Sequence, residues 1–546
     1  MQQETEKSNY LKGAAILAAA SIFVKIIGAI YKIPLFQDGV LGDEGTGDFQ
    51  VTYSVYTLIL TISTAGVPAA LSRLVSAAKA KGDINLVKRY FSLAMPAFAL
   101  IGFIAMLLML LFADNFAGLM NNTKAAPGIR VLAPAVFFAC IISVIRGYAQ
   151  GFQNMIPTST SQIVEVLSKA IIGIAAALWL VSMGYDSPIV SAGAIIGVTI
   201  GLGLCIPLLY LQKRKIDRKI PADTPYSESA QTAPKNLTVL AKVMKVSIPI
   251  TLSASFMAIM VVIDNSIVLG RLQNALGMLE ADARGLFGMY SRALTIYNLT
   301  PSLVVPVSIS IIPAIAAAIA RNNIREAKEI TQSSVKIVSL IAMPAAVGLM
   351  VLATPVLMAL YNDNRELSSQ IMIILGAASF FVCLQYVTTA ILQANGFERV
   401  ALYTFPAGAV VKIILAWYLA GHPSFGILAS PIGTLVCFVI ISVLNIIIIK
   451  VKIKDSRPEF FRVFTGTVLC SSIMAGSIFL INLFISKFMY GILGSGRFEA
   501  VVFLALTIMI GFVIYGVLII VTRTVTKEDM KLIPKGEKLA KILRVR

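Results

Sequence analysis

The sequence predicts an all-α polytopic membrane protein, and its composition and hydropathy pattern carry this prediction. Of the 546 residues, 58% are hydrophobic and only 13% are charged, and the mean hydropathy is +0.85. Ordinary soluble proteins carry about 25% charged residues. The hydrophobic residues also fall into fourteen long apolar runs separated by polar stretches. A water-soluble enzyme is therefore excluded, and about fourteen transmembrane helices are predicted.

Each apolar run is long enough to cross the hydrocarbon core of a bilayer, which takes about 20 residues of helix. Because backbone groups in lipid must bond within their own segment, each run is predicted to be helical. The second and eighth runs contain prolines that remove helix hydrogen bonds, so kinks are expected there, at Pro68, Pro306 and Pro313. The runs occupy residues 12–35, 49–78, 90–113, 129–150, 158–183, 189–211, 242–270, 286–319, 333–360, 368–391, 401–420, 426–450, 463–488 and 499–521.

The formal net charge of +19 is concentrated in every second loop. The first loop on the opposite side, residues 37–48, contains four acidic residues and no Lys or Arg. By the positive-inside rule both termini are predicted to lie in the cytoplasm. No zinc-ligand spacing or aromatic-studded basic motif accompanies the charge, which excludes a nucleic-acid partner. The basic segments are residues 79–89, 213–219, 321–328 and 450–462 and the tail from 523 to 546.

Residues 212–241 are predicted to form a cytoplasmic linker, because a basic start is followed by a stretch containing Pro and Ser. On either side of it, short motifs recur at offsets of 243 to 248 residues, including Met-Pro-Ala and Gly-Phe. Their shared order indicates two parallel six-helix repeats, residues 1–211 and 242–450. Residues 451–521 add two helices, and residues 522–546 form a basic cytoplasmic tail.

Cysteine and histidine usage argues against metal and His-based chemistry. The five cysteines lie far apart inside apolar runs and are interpreted as packing residues, and His422 is the only histidine. The sequence contains no nucleotide-binding P-loop. No cofactor is predicted, and the membrane potential or coupling to Na⁺ or H⁺ is the expected energy source.

Charged residues inside the apolar runs are candidate functional residues, because each costs roughly 2.5–3.5 kcal/mol at the centre of a membrane helix. Glu165 and Lys169 are four residues apart on one helix, so they are interpreted as an ion pair, with Glu165 also a candidate for ion coupling. Asp264 is a candidate for Na⁺ or H⁺ coupling or a counter-ion for a basic residue. The other candidates are basic: Lys25, Lys32, Arg73, Arg292 and Lys412.

The excess of basic candidates predicts a cationic cavity. Arg grips a phosphate group in bidentate fashion and Lys binds it as a point charge, so the cavity suits phosphate or diphosphate. Two alternatives stay open at this point. Lys32 and Arg73 could extend their charged ends to a membrane interface, and the remaining basic residues could pair with carboxylates for structural reasons.

Several short motifs, in order along the whole chain, resemble one family. They are SIFVKIIG at 21–28, GTGDF at 45–49, YSR at 290–292 and the Gly-Phe turns at 151–152 and 396–397. The chain resembles the multidrug/oligosaccharidyl-lipid/polysaccharide exporter superfamily, in the branch of MurJ-type lipid II flippases and stage V sporulation protein B-like proteins. The resemblance implies a MATE-like arrangement of the repeats, with the two extra helices forming a groove for a lipid tail.

The resemblance also implies a function. The family moves an undecaprenyl-diphosphate-linked peptidoglycan precursor, lipid II, from the cytoplasmic to the outer leaflet of the bacterial cell membrane by alternating access, alongside the cell-wall synthesis machinery. Lys25 and Arg292 match basic positions for the diphosphate, Lys32 lies near a second one, and Asp48 matches an acidic residue at the cavity entrance. Where some members have a sodium-binding carboxylate, this chain has Lys412, which argues against sodium coupling.

Other functions remain as alternatives. A flippase for another lipid-linked polysaccharide unit would recognise the same diphosphate. A drug/cation antiporter of the superfamily would need unpaired carboxylates in its cavity, whereas basic residues predominate here. A membrane enzyme acting on polyprenyl phosphates would need clustered acidic ligands or a His near a nucleophile, which the sequence lacks. A non-transporting scaffold for cell-wall synthesis would tolerate loss of the basic candidates.

Overall fold

The computed structural model describes residues 20–218, 236–453, 460–493, 497–522 and 524. All regular secondary structure in these ranges is helical, which confirms the predicted fold class. Twelve segments in the described ranges are long and apolar enough to span a membrane, and they correspond to twelve of the fourteen predicted runs. The other two runs are residues 12–35, of which residues 12–19 lie outside the described ranges, and residues 286–319, which the structure divides into two helices.

The contacts within the chain form two compact units, which divide along the sequence between Gly288 and Met289. The helices of the first unit are numbered in chain order, and α1 is described from residue 20 onward. They are α1 (residues 20–30), α2 (Lys32–Leu35), α3 (Gly42–Thr64), α4 (Val67–Ala80), α5 (Ile84–Leu111), α6 (Ala113–Leu119), α7 (Ala126–Gly151), α8 (Ile156–Ser182), α9 (Ser187–Asp217) and α10 (Asn236–Asn274).

The next helix, α11 (Glu280–Tyr297), begins in the first unit and ends in the second. In the second unit α18 packs on α13, and α19 packs on α14 and α18. The remaining helices are α12 (Leu299–Ala320), α13 (Ile324–Val351), α14 (Ala353–Tyr361), α15 (Glu366–Ala394), α16 (Ala401–Ala420), α17 (Ala429–Lys452), α18 (Phe460–Leu493) and α19 (Arg497–Val521).

The contacts place α10 in the first unit, where it packs along α3, α4 and α5. The two repeats stay a prediction. Residues 219–235 of the predicted linker, and all but one of the residues from 523 onward, lie outside the described ranges.

Prolines explain the interruptions in two of the predicted spans. Pro68 has no N–H for the carbonyl of Thr64, and α3 ends at Thr64, so the expected kink in the second run is confirmed. In the eighth run, Pro306 and Pro313 lie within α12, and kinks at these two residues stay a prediction. The run is interrupted at Asn298, directly after Tyr297, whose carbonyl loses its partner because Pro301 lies four residues later.

Glycines allow α3 and α11 to approach backbone to backbone within the first unit. A Cβ atom on Gly288 would overlap the carbonyl of Asp43, and one on Gly47 would overlap the carbonyl of Arg284. Only glycine fits such contacts. The approach brings the side chain of Arg284 beside α3. The five cysteines are all buried and unbridged, which confirms that they are packing residues.

Candidate functional site

Two lysines and a set of aromatic rings form a cluster in the first unit, which we call the lysine–aromatic cluster: Tyr31, Lys32, Phe49, Tyr53 and Lys169. Phe49 and Tyr53 are four residues apart on α3, so they lie on one helix face, and their rings stack with centroids 6.1 Å apart. The Nζ of Lys32 lies 5.9 Å from the Phe49 centroid. The Nζ of Lys169, from α8, lies 4.3 Å from the Tyr53 centroid and 5.2 Å from that of Tyr31.

The two lysines of the cluster have no acidic partner among the residues that the structure describes. Lys169 donates a hydrogen bond to the Tyr53 hydroxyl at 3.2 Å. Within the part of the chain that the structure describes, neither Lys32 nor Lys169 has a carboxylate oxygen within 4.0 Å. Aromatic faces stabilise ammonium groups but do not neutralise them. Since both side chains are only partly buried, the cluster can bind an anion with several oxygens.

The predicted ion pair between Glu165 and Lys169 is not formed. The carboxylate of Glu165 instead accepts from Nη2 of Arg146 on α7, at 3.3 Å, and Nε of Arg146 donates to the Ser161 hydroxyl at 2.8 Å. Arg146 was missed, although it is a charged residue inside a predicted span, which is the same signal that identified Lys169. The coupling role considered for Glu165 stays a prediction, but a carboxylate already paired with a guanidinium is a poor ligand for a cation.

Asp48 lies inside the first unit and is 1% exposed. Nη1 of Arg284 donates to both of its carboxylate oxygens, at 3.1 and 2.9 Å, and Nη2 of Arg284 reaches Glu44 at 2.5 Å. The amide of Asn122 donates a further bond to Asp48 at 3.0 Å. Asp48 is therefore half of a buried ion pair, and its assignment to a cavity entrance stays a prediction. Arg284 was missed, although it lies two helical turns before the predicted Arg292.

Arg292 lies in the second unit with its side chain fully buried. Its guanidinium carbon is 5.6 Å from the ring centroid of Tyr361, and its Nη1 is 4.0 Å from a carboxylate oxygen of Asp363. Asp363 follows α14 and also accepts from Arg365, at 2.8 Å, and from Ser368, at 2.7 Å. Asp363 lies in a loop between two predicted spans and was missed for that reason. The counter-ion role considered for Asp264 stays a prediction.

The remaining predicted residues occupy different surroundings. Lys25 and Arg73 are exposed and Lys412 is half-buried. Asp264 is 2% exposed, and its neighbour Asn265 donates to the hydroxyl of Ser54 on α3 at 2.9 Å. Lys32 is one of the basic residues predicted to bind substrate, and in the structure it lies close to a second lysine, Lys169. The substrate-binding roles of the others stay predictions.

Replacing Asp363 with Asn is expected to destabilise the second unit by about 2 kcal/mol at pH 7, because a buried carboxylate loses charge-assisted hydrogen bonds beside a buried guanidinium. Burial raises the pKa of Asp363, but its hydrogen bonds from Arg365 and Ser368 outweigh burial and hold the pKa below the ordinary value. A carboxyl with a lowered pKa stabilises the fold above its unfolded pKa, about 3.9, and this contribution is lost as the pH falls through the folded pKa. Thermal unfolding of both proteins between pH 7 and pH 3 measures the difference.

The difference in midpoint between Asp363→Asn and wild type is expected to be largest near neutral pH and to shrink below pH 4 or so. The control is Glu366→Gln, which changes an exposed carboxylate three residues away. Equal midpoints for Asp363→Asn and wild type at pH 7 would contradict the structural role given to Asp363.

Comparison with known proteins places the chain in a family. It belongs to the polysaccharide biosynthesis protein family, which it matches over residues 10–319, and residues 287–418 also match the MatE family. The superfamily resemblance seen in the sequence is thereby confirmed. The chain is a multi-span membrane transporter of this superfamily and not an enzyme.

Individual relatives match over most of the chain. Stage V sporulation protein B of Bacillus subtilis is 26% identical over 539 residues, covering 97% of this chain and 98% of that protein. Lipid II flippase MurJ of Bacillus subtilis is 26% identical over 429 residues, covering 75% of this chain and 77% of that protein. A solved structure of lipid II flippase MurJ in an inward closed conformation superposes with a TM-score of 0.68 at 17% identity, covering 92% of this chain and 98% of that one. At 17% identity, this similarity shows that the two proteins share a fold and nothing further.

Proposed function

We propose that this protein flips a lipid-linked glycan across the bacterial cell membrane, and that its substrate is the undecaprenyl-diphosphate-linked peptidoglycan precursor, lipid II. The lysine–aromatic cluster carries the proposal, because its two lysines, which pair with no carboxylate in the described ranges, suit the diphosphate of such a lipid. The relative named as a lipid II flippase and the match to polysaccharide biosynthesis proteins support it.

The physical chemistry of the substrate is consistent with such a transporter. The sugar and peptide head is too polar for the hydrocarbon core and needs a hydrated, cationic path. The polyprenyl tail gains roughly 0.8 kcal/mol for each CH₂ group that stays in an apolar environment. Flipping therefore requires no covalent chemistry, only a route for the head while the tail remains in lipid. We further propose that both termini face the cytoplasm and that the membrane potential or an ion gradient drives the movement.

A flippase for another lipid-linked polysaccharide unit is the second candidate, because the polysaccharide biosynthesis family match covers residues 10–319 and the diphosphate would be shared. A drug antiporter would carry cations, which the two lysines of the cluster disfavour.

Complementation tests the proposal. We expect wild-type protein to restore growth of bacteria depleted of their own lipid II flippase, with membrane levels checked by immunoblot. Purified protein in liposomes should also expose labelled lipid II on the outer face. If well-expressed protein fails in both assays, lipid II is not the substrate. Flipping of a different undecaprenyl-diphosphate glycan in the same liposomes would then support the second candidate.

A further inference from the structure

Three polar residues follow one face of α8 in the first unit: Ser161, Glu165 and Lys169, each four residues after the last. This spacing favours an ion pair between Glu165 and Lys169. The structure shows a different pairing, because Glu165 bonds to Arg146 on α7 while Lys169 bonds to Tyr53 on α3. The Glu165 carboxylate thus has two candidate partners, Lys169 on its own helix and Arg146 on α7, and it pairs with Arg146.

We propose that Arg146 is a positioning residue, which withholds Glu165 from Lys169 and so keeps the lysine–aromatic cluster able to bind a phosphate-bearing ligand. The inference rests on the proposed function, in which the cluster meets a diphosphate. Arg146 acts through Glu165 and is not itself a ligand of the phosphate. Its effect is on the charge of the cluster, to which Glu165 adds no negative charge while it is paired with Arg146.

The geometry around Arg146 suits this role. A guanidinium is a fork of donors, so it can hold a carboxylate and a second acceptor at the same time. Arg146 does so, with Nη2 at 3.3 Å from Glu165 and Nε at 2.8 Å from the Ser161 hydroxyl. The side chains of Arg146 and Glu165 are 18% and 33% exposed, so burial strengthens the attraction between them relative to a surface pair.

Loss of Arg146 would leave Glu165 one helical turn from Lys169 with no other cation bound. The two would then pair, which removes one of the two charges that attract a phosphate and places a negative charge beside the ligand. In an Arg146 variant, the group that weakens phosphate binding is therefore the Glu165 carboxylate. Neutralising Glu165 in that variant should restore binding, which a purely structural role for Arg146 does not predict.

The test measures binding of inorganic pyrophosphate to the full-length protein in detergent by calorimetry. Four proteins are compared: wild type, Arg146→Met, Glu165→Gln and the double variant Arg146→Met/Glu165→Gln. We expect Arg146→Met to bind about tenfold more weakly, which is the effect of one charged contact of modest strength. Glu165→Gln and the double variant should bind within about threefold of wild type.

Arg146→Lys serves as the matched control, because it keeps a positive partner for Glu165 and should bind within about threefold of wild type. If Arg146→Met does not fold, Arg146→Gln and its double variant with Glu165→Gln give the same comparison, since Gln still fills the space and can donate to Ser161. The folded state of each protein is checked by its thermal midpoint.

Three results would overturn the inference. They are unchanged pyrophosphate affinity in Arg146→Met, a double variant as weak as Arg146→Met, and a wild type that binds no pyrophosphate. Failure of the proposed function has a different signature. If wild type binds pyrophosphate and the double variant restores binding, but liposomes show no flipping of lipid II, the positioning role stands and the assigned substrate is wrong.

Discussion

Replacing Arg284 with Met is expected to lower the stability of the protein by roughly 3–5 kcal/mol, because it leaves a buried charge without its partner. Asp48 is 1% exposed, and both of its carboxylate oxygens accept from Arg284, which also holds Glu44. A thiol-reactive fluorescent dye can follow thermal unfolding in detergent, since all five cysteines are buried in the folded protein. The variant should show a clearly lower midpoint than wild type.

Arg130→Met is the matched control for this prediction. Arg130 also pairs with an aspartate, Asp114, but the two side chains are 47% and 72% exposed. Exposed ion pairs contribute about 0–1 kcal/mol, so this variant should unfold close to wild type. Adding Asp48→Asn to Arg284→Met should recover part of the lost stability, because it removes the stranded charge. An Arg284→Met midpoint equal to that of Arg130→Met would show that the buried pair is not needed for the fold.

Removing both lysines of the lysine–aromatic cluster is expected to abolish transport. Each charge-assisted hydrogen bond to a phosphate contributes about 1.5–3 kcal/mol, so Lys32→Met and Lys169→Met should each reduce flipping roughly ten- to hundredfold. The double variant should fall to background. Flipping of labelled lipid II by purified protein in liposomes measures the effect, with the reconstituted amount of each protein matched by immunoblot.

Two further variants control the lysine prediction. Lys124→Met removes an exposed lysine of the first unit that is not part of the cluster, and it should flip at the wild-type rate. Lys169→Arg keeps the positive charge and should retain most of the activity. Normal flipping by the double Met variant would remove the cluster from the transport path and would leave the proposed function without its structural support.

The fold could be predicted from the sequence to a large extent, because lipid leaves a polypeptide few choices. Backbone groups have no water to bond in hydrocarbon, so a long apolar run must form a helix whatever surrounds it. The interruption near Pro68 followed from the missing N–H of proline. The same rule explains the interruption at Asn298, through Pro301. Pro306 and Pro313 lie in the same run, but the helix continues through both of them. Whether a proline interrupts a helix depends on whether neighbouring groups satisfy the carbonyl that loses its hydrogen bond.

The candidate site, like the fold, could be predicted from the sequence only in part. The charges that lie inside spans could be identified from the sequence, because each one interrupts a long apolar run. Their partners could not be identified in this way. Local spacing predicts that Glu165 pairs with Lys169, whereas in the folded protein Glu165 pairs with Arg146, which lies on another helix. The pairing of Arg284 with Asp48 and that of Asp363 with Arg292 likewise became evident only in the structure, because the partners lie far apart in the sequence. A charge in low dielectric pairs with whichever opposite charge the packing brings close, and helix packing, not distance along the chain, sets that choice.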